Sequence, residues 1–207
     1  MHGGRLGRAN SRHALLAAVG EELEQFGVGS ISLRGIARRA GYSHAAPAAV
    51  FGDRAGMLTA FASCGYAELA ASMRHAVAAT TDPESALTAV GTAYVGFALA
   101  RPATFELMFR GDLLQQSDAA LEASRAAAWG VLAGVVDDAV ARGKVAPGIA
   151  DTTRIGAWSI AHGLAVLALG RHASRRSTEA DLQALTAAVT SQFAHCFFAG
   201  PAALATH

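Results

Sequence analysis

The sequence predicts an all-α protein of about nine helices, in which an amino-terminal helix-turn-helix domain of three helices precedes a larger helical domain. Hydrophobic residues make up 52% of the 207 residues, and the excess is mainly alanine, a strong helix former. Apolar residues recur at helical spacing along most of the chain, and runs of β-branched residues that would indicate strands are few. Glycine, proline and capping residues separate these periodic segments.

The first helix is predicted to end at Phe26. The run EELEQ faces water, and the apolar residues on the opposite face are Leu15, Leu16, Val19, Leu23 and Phe26. Gly27 and Gly29 follow, as is common where the backbone must leave a helix with a positive φ.

Two short helices follow, and their spacing predicts a helix-turn-helix. Ser32 caps the segment LRGIARRA, which ends at Gly41. Ser43 is predicted to cap the third helix, which carries Pro47 in its first turn. The small side chain of Ala37 permits a close crossing of the two helices. An apolar stripe of this kind also fits the core of an ordinary helical bundle, so periodicity alone leaves both interpretations open.

The larger domain is predicted to contain five long helices. The first follows Phe51 and ends at about residue 79, and the second follows the break TTDPES and ends at residue 99. The other three lie at about 117–142, 151–170 and 178–198. Asp82 and Ser85 are alternative caps, and ATFELMF is predicted to be a short apolar turn. The predicted domains are therefore 1–53 and 54–207.

Charge is distributed unevenly although the net charge is only +1. Residues 1–60 carry seven arginines against four carboxylates, a net charge of +3, whereas the remainder carries 10 basic and 12 acidic residues. A basic amino-terminal segment favours a polyanionic partner there.

Several classes of protein are not expected. No apolar stretch approaches the ~18 residues of a membrane span, and no signal core follows the amino terminus. Cys64 and Cys196 are predicted to be buried, reduced thiols of a cytoplasmic protein. The sequence lacks the motifs of zinc hydrolases, di-iron bundles, phosphate loops and serine hydrolases. No enzyme activity, cofactor or metal site is therefore predicted.

Residues 12–58 resemble the tetracycline-repressor (TetR) family of bacterial regulators. The resemblance rests on an arginine that opens the first helix, on FGVGSISLRGIARRAGYS, and on Phe51 and the region of Leu58. The segments SHAAP, RPATFELMF and WSIAHGLAVLALG, with Trp158, His162 and Gly163, resemble one subgroup of that family.

The resemblance implies a homodimeric regulator, usually a repressor, whose paired helix-turn-helix units enter the major groove of a near-palindromic operator. It also implies that a small effector molecule binds in the larger domain and releases the DNA. The residues that it places at double-stranded DNA are Ser32, Arg34, Ser43, His44, Ala45, Ala46 and Arg54. An alanine methyl group there is able to contact a thymine methyl group.

The sequence departs from the family pattern at Ala48, Ala49 and Val50. Relatives usually carry a tyrosine at the first of these positions, and basic or imidazole side chains commonly follow it in the resembling subgroup. Three hypotheses remain open. Binding is weaker and is supported by a basic arm, the operator is unusual and is contacted by apolar groups, or DNA binding is lost. The arm would consist of Arg5, Arg8 and Arg12.

The larger domain contains candidates for an effector site and a dimer interface. The predicted site is mostly apolar, as ligand pockets between helices usually are, and comprises Phe105, Met108, Phe109, Trp129, Trp158, His162 and Val166. Each of these residues also fits ordinary core packing. The predicted dimer stripes are Ile155, Ile160, Leu164 and Leu167, with Leu185, Val189, Phe193 and Phe197, although these residues also fit an intramolecular core.

Overall fold

The structure, a computed structural model, describes residues 3–170 and 179–203. Nine α-helices, two 3-10 turns and no strand occur among these residues, as the sequence predicts. The helices are α1 (Gly3–Phe26), α2 (Leu33–Arg39), α3 (Ala46–Phe51), α4 (Arg54–Ala78), α5 (Pro83–Ala100), α6 (Pro102–Met108), α7 (Ala119–Ala141), α8 (Ala150–Leu169) and α9 (Glu179–Ala203).

The helices form two compact units. One contains Met1–Ala67 and Arg101–Arg125, and the other contains Glu68–Ala100 and Ala126–His207. The boundaries fall inside α4 and α7, so each of these helices contributes to both units. The predicted domains 1–53 and 54–207 were defined by function, whereas these two units are defined by packing. The predicted domains therefore stay a prediction.

The first unit is built around α1, against which α2, α3 and α6 pack. Leu15, Val19 and Leu23 are buried on α1, whereas Phe26, predicted for the same face, is 51% exposed because the helix ends there. The segment ATFELMF lies mostly in helix α6 and not in a turn, so that prediction was wrong. Its buried Leu107 and Met108 provide the reason, since seven residues suffice for two helical turns that pack on a core.

Side-chain caps and glycines with a positive φ define several helix ends. The Ser32 hydroxyl accepts a hydrogen bond from the Gly35 N–H at 3.0 Å, and Asp82 accepts one from the Ser85 N–H at 2.9 Å. That bond identifies Asp82 as the cap of α5, and it lowers the pKa of Asp82 from its usual value. Gly143 ends α7 with a φ of +68°.

The predicted cap at Ser43 was wrong. Helix α3 begins at Ala46, and its N-cap residue is Ala45, which makes no side-chain cap hydrogen bond. The carbonyl oxygen of Ser43 instead accepts from the Ala46 N–H at 3.0 Å and closes a turn before the helix. Pro47 occupies the first turn and needs no hydrogen-bond acceptor there.

Two further expectations were wrong. Cys64 and Cys196 are both exposed, because each lies on the solvent side of its helix in this chain. Helix α7 is long and apolar enough to cross a membrane by length and composition alone, with a mean hydropathy of 1.2. Alanine, valine and leucine produce this value, and only 28% of the stretch is buried.

Candidate functional site

The exposed side of α2 carries unpaired positive charge. Arg34 and Arg38 lie one helical turn apart and are exposed, and neither has an ion-pair partner among the described residues. Ser32 is exposed at the start of the same helix. A hydroxyl group, two guanidinium groups and backbone N–H groups therefore share one surface, and these are the groups that proteins use to contact phosphate.

Arg39, which follows on the same helix, is already paired and is not available to contact phosphate. Its Nε lies 3.2 Å from Glu22 Oε1, its Nη1 lies 3.4 Å from Glu21 Oε2, and its Nη2 donates to Gln25 Oε1 at 2.6 Å. These contacts attach α2 to α1. Sequence analysis counted Arg39 among the basic residues, and only the structure shows that its charge is compensated.

The turn before α3 and the outer side of α3 are exposed. Ser43, His44 and Ala45 are exposed in the turn, while Ala46 is half-buried. Pro47 is buried and directs the opposite side of α3 outward, so that Ala48 and Ala49 face solvent. The surface that meets DNA in the predicted arrangement therefore consists largely of methyl groups.

Arg54 has a structural role that sequence analysis missed. Its Nε donates to the carbonyl oxygen of Ile31 at 3.2 Å, and its Nη2 donates to that of Val28 at 3.4 Å. The side chain therefore holds the loop between α1 and α2. Arg12 lies over the ring of Phe51 at 5.7 Å, while the side chains of Arg5 and Arg8 are outside the described residues.

The predicted effector residues fall into the two units. Phe105 and Met108 are buried in the first unit, and Phe109 is 37% exposed. Tyr66, which sequence analysis missed, donates from its hydroxyl group to the carbonyl oxygen of Met108 at 2.9 Å. Its ring meets that of Phe109 edge-on at 6.0 Å. Burial raises the pKa of Tyr66, so the phenol stays protonated at neutral pH.

The second unit contains the other aromatic cluster. Trp158 stacks on His162 with ring centroids 5.6 Å apart and meets Trp129 edge-on at 6.5 Å. Tyr94, which sequence analysis also missed, shares a hydrogen bond of 2.9 Å with His162 Nδ1. Val166 lies one turn beyond His162 on α8 and is 50% exposed. Tyr94 lies on α5, far from α8 in sequence, so spacing gave no signal for the pair.

Burial lowers the pKa of His162 below its usual value of 6.5. As the pH falls through that value, the unfolded chain binds a proton more readily than the folded chain, so the free energy of unfolding decreases. The decrease ends below the pKa of the folded state. We expect urea unfolding between pH 8 and pH 5 to show a larger loss of stability for the wild type than for His162→Gln. Equal losses in the two proteins would contradict the assignment.

Two surface grooves lie in the second unit, apart from the predicted effector residues. One, of about 570 Å³, is bordered by α4, α5 and α7, and the other, of about 530 Å³, by α4, α5 and α9. None of the seven predicted residues lines either groove. Within the described part of the chain, no three His, Cys, Asp or Glu side chains form a set that could hold a metal ion.

Large apolar side chains are exposed on α8 and α9. Ile155, Leu167 and Leu185 are each more than half exposed. Phe193 and Phe197 are half-buried, and Phe193 lies against Gly156, whose missing side chain leaves room for the ring. The predicted stripes thus divide between contacts inside the chain and a surface left open to solvent.

Comparisons with known proteins agree on one family. The sequence profile of a family described as "Tetracyclin repressor-like, C-terminal domain" matches residues 87–193, slightly more than half of the chain. No curated protein matches in sequence.

Solved structures match nearly the whole chain. A protein of unknown function from Rhodococcus sp. RHA1 is 31% identical and gives a TM-score of 0.79, with 91% of this chain and 95% of that one covered. A TetR family transcription regulator from Marinobacter aquaeolei VT8 is 18% identical, with a TM-score of 0.66 and coverages of 91% and 97%. The regulator FadR from Bacillus subtilis, in complex with stearoyl-CoA, is 14% identical, with a TM-score of 0.69 and coverages of 88% and 97%.

Proposed function

The chain belongs to the tetracycline-repressor-like family, and from this membership we propose that it is a cytoplasmic, homodimeric transcriptional regulator that represses genes by binding an operator. A small, mostly apolar effector relieves the repression. The subgroup defined by Trp158, His162 and Gly163 is part of the same proposal.

The observation that carries DNA binding is the unpaired charge beside α3. Arg34 and Arg38 are exposed without ion-pair partners in the described chain, whereas Arg39 is neutralised by carboxylates. Phosphate contacts supply most of the non-specific affinity of a DNA-binding protein and fix its register. On this surface, the exposed Ser43, His44 and Ala45 lie where side chains reach base edges.

The aromatic clusters support an effector of low polarity. His162 and Tyr94 are polar groups next to Trp129 and Trp158, and ligand pockets commonly combine a few polar groups with an apolar lining. The FadR structure contains stearoyl-CoA, which supports an effector with a large apolar part in this fold.

The exposed apolar surface of α8 and α9 supports a homodimer. Ile155, Leu167 and Leu185 are each more than half exposed, so these helices leave large apolar side chains in water. Packing these helices against their copies would bury that surface in a four-helix arrangement.

The decisive experiment is fluorescence anisotropy of the full chain with its own upstream DNA and with a scrambled duplex, at several salt concentrations. Promoter-selective binding that weakens steeply with salt is expected, because counterions are released from each contacted phosphate. Binding that does not distinguish the two duplexes at any salt concentration would contradict the proposal.

A second candidate function follows from the exposed Ala48 and Ala49. A ligand-binding or interaction module that has lost DNA binding would show methyl groups at these positions, where relatives carry phosphate-binding side chains. Both positions are exposed, so larger side chains fit there without disturbing the core.

Replacing Ala48 with tyrosine and Ala49 with arginine therefore tests the second candidate. We expect the wild type to bind its promoter already, and the double variant to bind more tightly with a salt slope steeper by about 1.8, since each protomer of the dimer adds one cation. The matched control places the same side chains at the exposed pair Ala119 and Ala120 on α7. Binding that appears only in the Ala48 and Ala49 variant would favour the module.

A further inference from the structure

The surface formed by the α2–α3 turn and α3 exposes several apolar groups and carries no charged side chain of fixed sign between Tyr42 and Phe51. Its exposed side chains include one aromatic ring and three methyl groups, from Tyr42, Ala45, Ala48 and Ala49. Ser43, His44 and the hydroxyl group of Tyr42 add polar atoms. We call Tyr42, Ala45, Ala48 and Ala49 the methyl-and-ring surface.

The backbone fixes the position of Tyr42. Gly41 has a φ of +74°, and its N–H bonds to the carbonyl oxygen of Arg38 at 3.2 Å, while the Tyr42 N–H bonds to that of Ala37 at 2.9 Å. These two bonds form a Schellman motif, in which the residue at the position of Tyr42 usually packs against its own helix. The Tyr42 side chain nevertheless remains 37% exposed.

The charge and shape around the methyl-and-ring surface favour a polyanionic partner that lies close to the backbone of α3. Arg34 and Arg38 on α2 provide exposed positive charge that no described carboxylate neutralises. Asp53, a carboxylate just beyond α3, is engaged by the Gly56 N–H at 2.7 Å. No long side chain stands on the outer side of α3, so its backbone is able to approach a groove floor more closely than a helix carrying tyrosine and arginine.

We propose that the methyl-and-ring surface recognises thymine in the DNA major groove by apolar contact with the C5-methyl group, with Tyr42 as the largest contact. This inference rests on the proposed DNA-binding function. Thymine is the only unmodified base that presents a methyl group in the major groove, and apolar contact with it distinguishes T·A from C·G pairs. Specificity then depends on methyl groups more than on hydrogen bonds.

The test removes the methyl groups from the DNA and leaves the protein unchanged. Duplexes that bind the full chain are selected from a random-sequence library, and the best duplex is synthesised with thymine or with uracil in both half-sites. Uracil keeps every hydrogen-bonding group of thymine and lacks only the methyl group. Each contacted methyl group is expected to contribute about fourfold in affinity, which corresponds to the ~0.8 kcal/mol of a buried methylene. Two contacts in each half-site of a dimer would therefore give a loss of well over tenfold.

A control duplex carries uracil only outside the half-sites, and its affinity is expected to match that of the thymine duplex. Tyr42→Ala is expected to weaken binding to the thymine duplex and to reduce the penalty for uracil, with no change in the salt slope, since no charge is removed. Tyr42→Phe, which keeps the ring, is expected to preserve the penalty. Thermal unfolding of both variants checks that the fold is intact.

The outcomes separate the two proposals. A half-site uracil penalty below twofold in a protein that binds its selected duplex tightly would overturn methyl recognition and leave DNA binding in place. A penalty that persists unchanged in Tyr42→Ala would overturn the assignment to Tyr42. Failure of the wild type to enrich any duplex would overturn the proposed function, and the inference would fall with it.

Discussion

Replacing Gly91 with alanine is expected to destabilise the second unit, whereas the same replacement at Gly96, on the same helix, is expected to stabilise it. A Cβ at Gly91 would lie 2.7 Å from Thr190 Cγ2 and 3.2 Å from Thr190 Cβ. Thr190 is buried and donates to the carbonyl oxygen of Thr186 at 2.8 Å, so it cannot easily move away. At Gly96 a Cβ would meet no atom within 4 Å.

The two replacements share one favourable effect and differ only in the contact. Alanine is better than glycine in a helix interior by roughly 0.5–1 kcal/mol. Overpacking a tight contact usually costs about 1–3 kcal/mol. Gly91→Ala should therefore lower the free energy of unfolding by about 1–2 kcal/mol, and Gly96→Ala should raise it by roughly 0.5–1 kcal/mol. Urea unfolding of both variants measures the difference, and equal stabilities would show that α5 and α9 are not held as closely as described.

Replacing both Arg34 and Arg38 with alanine is expected to reduce the salt dependence of DNA binding. Each lost phosphate contact reduces the slope of log affinity against log salt by about 0.9. Two contacts in each protomer of a dimer would therefore lower the slope by roughly 3.6 and weaken binding to all sequences alike. Anisotropy titrations between 50 and 200 mM salt measure this effect. Over this range, ~6–10 phosphate contacts change the affinity by a factor of 10³–10⁵.

The control for this double variant is Arg74→Ala. Arg74 is also exposed and has no ion-pair partner among the described residues, but it lies on α4 in the second unit and not on α2. Its replacement changes the net charge by one unit without affecting the proposed phosphate contacts. A salt slope unchanged by the Arg34 and Arg38 replacements, or reduced as much by Arg74→Ala, would show that these two residues do not contact DNA.

Helix ends were predictable because local chemistry decides them. The Ser32 cap, the Asp82 cap and the positive φ of Gly41 and Gly143 require only neighbouring residues and the backbone. Helix α6 was not predictable from ATFELMF, because seven residues give too short a period to recognise and the burial of Leu107 against other helices decides the conformation. Ser43 was mistaken for a cap since its residue type permits that role and a turn equally well.

The candidate sites were predictable only as residue types. The family resemblance grouped Trp158 with His162, but sequence reasoning could not pair His162 with Tyr94, which is 68 positions away. It counted Arg39 among the basic residues, and the carboxylates that neutralise it lie on another helix. It also took Cys64 and Cys196 to be buried, although both are exposed.

The sequence by itself determined the all-helical fold and several helix ends, because periodicity and capping act within a few residues along the chain, while the helix-turn-helix also needed the family resemblance. Only the tertiary structure decided which cations remain unpaired, which methyl groups face outward and where α5 meets α9. Those properties depend on the packing of helices distant in sequence. Buried Pro47 directs Ala48 and Ala49 outward, and Glu21 and Glu22 leave Arg34 and Arg38 as the free charges of α2.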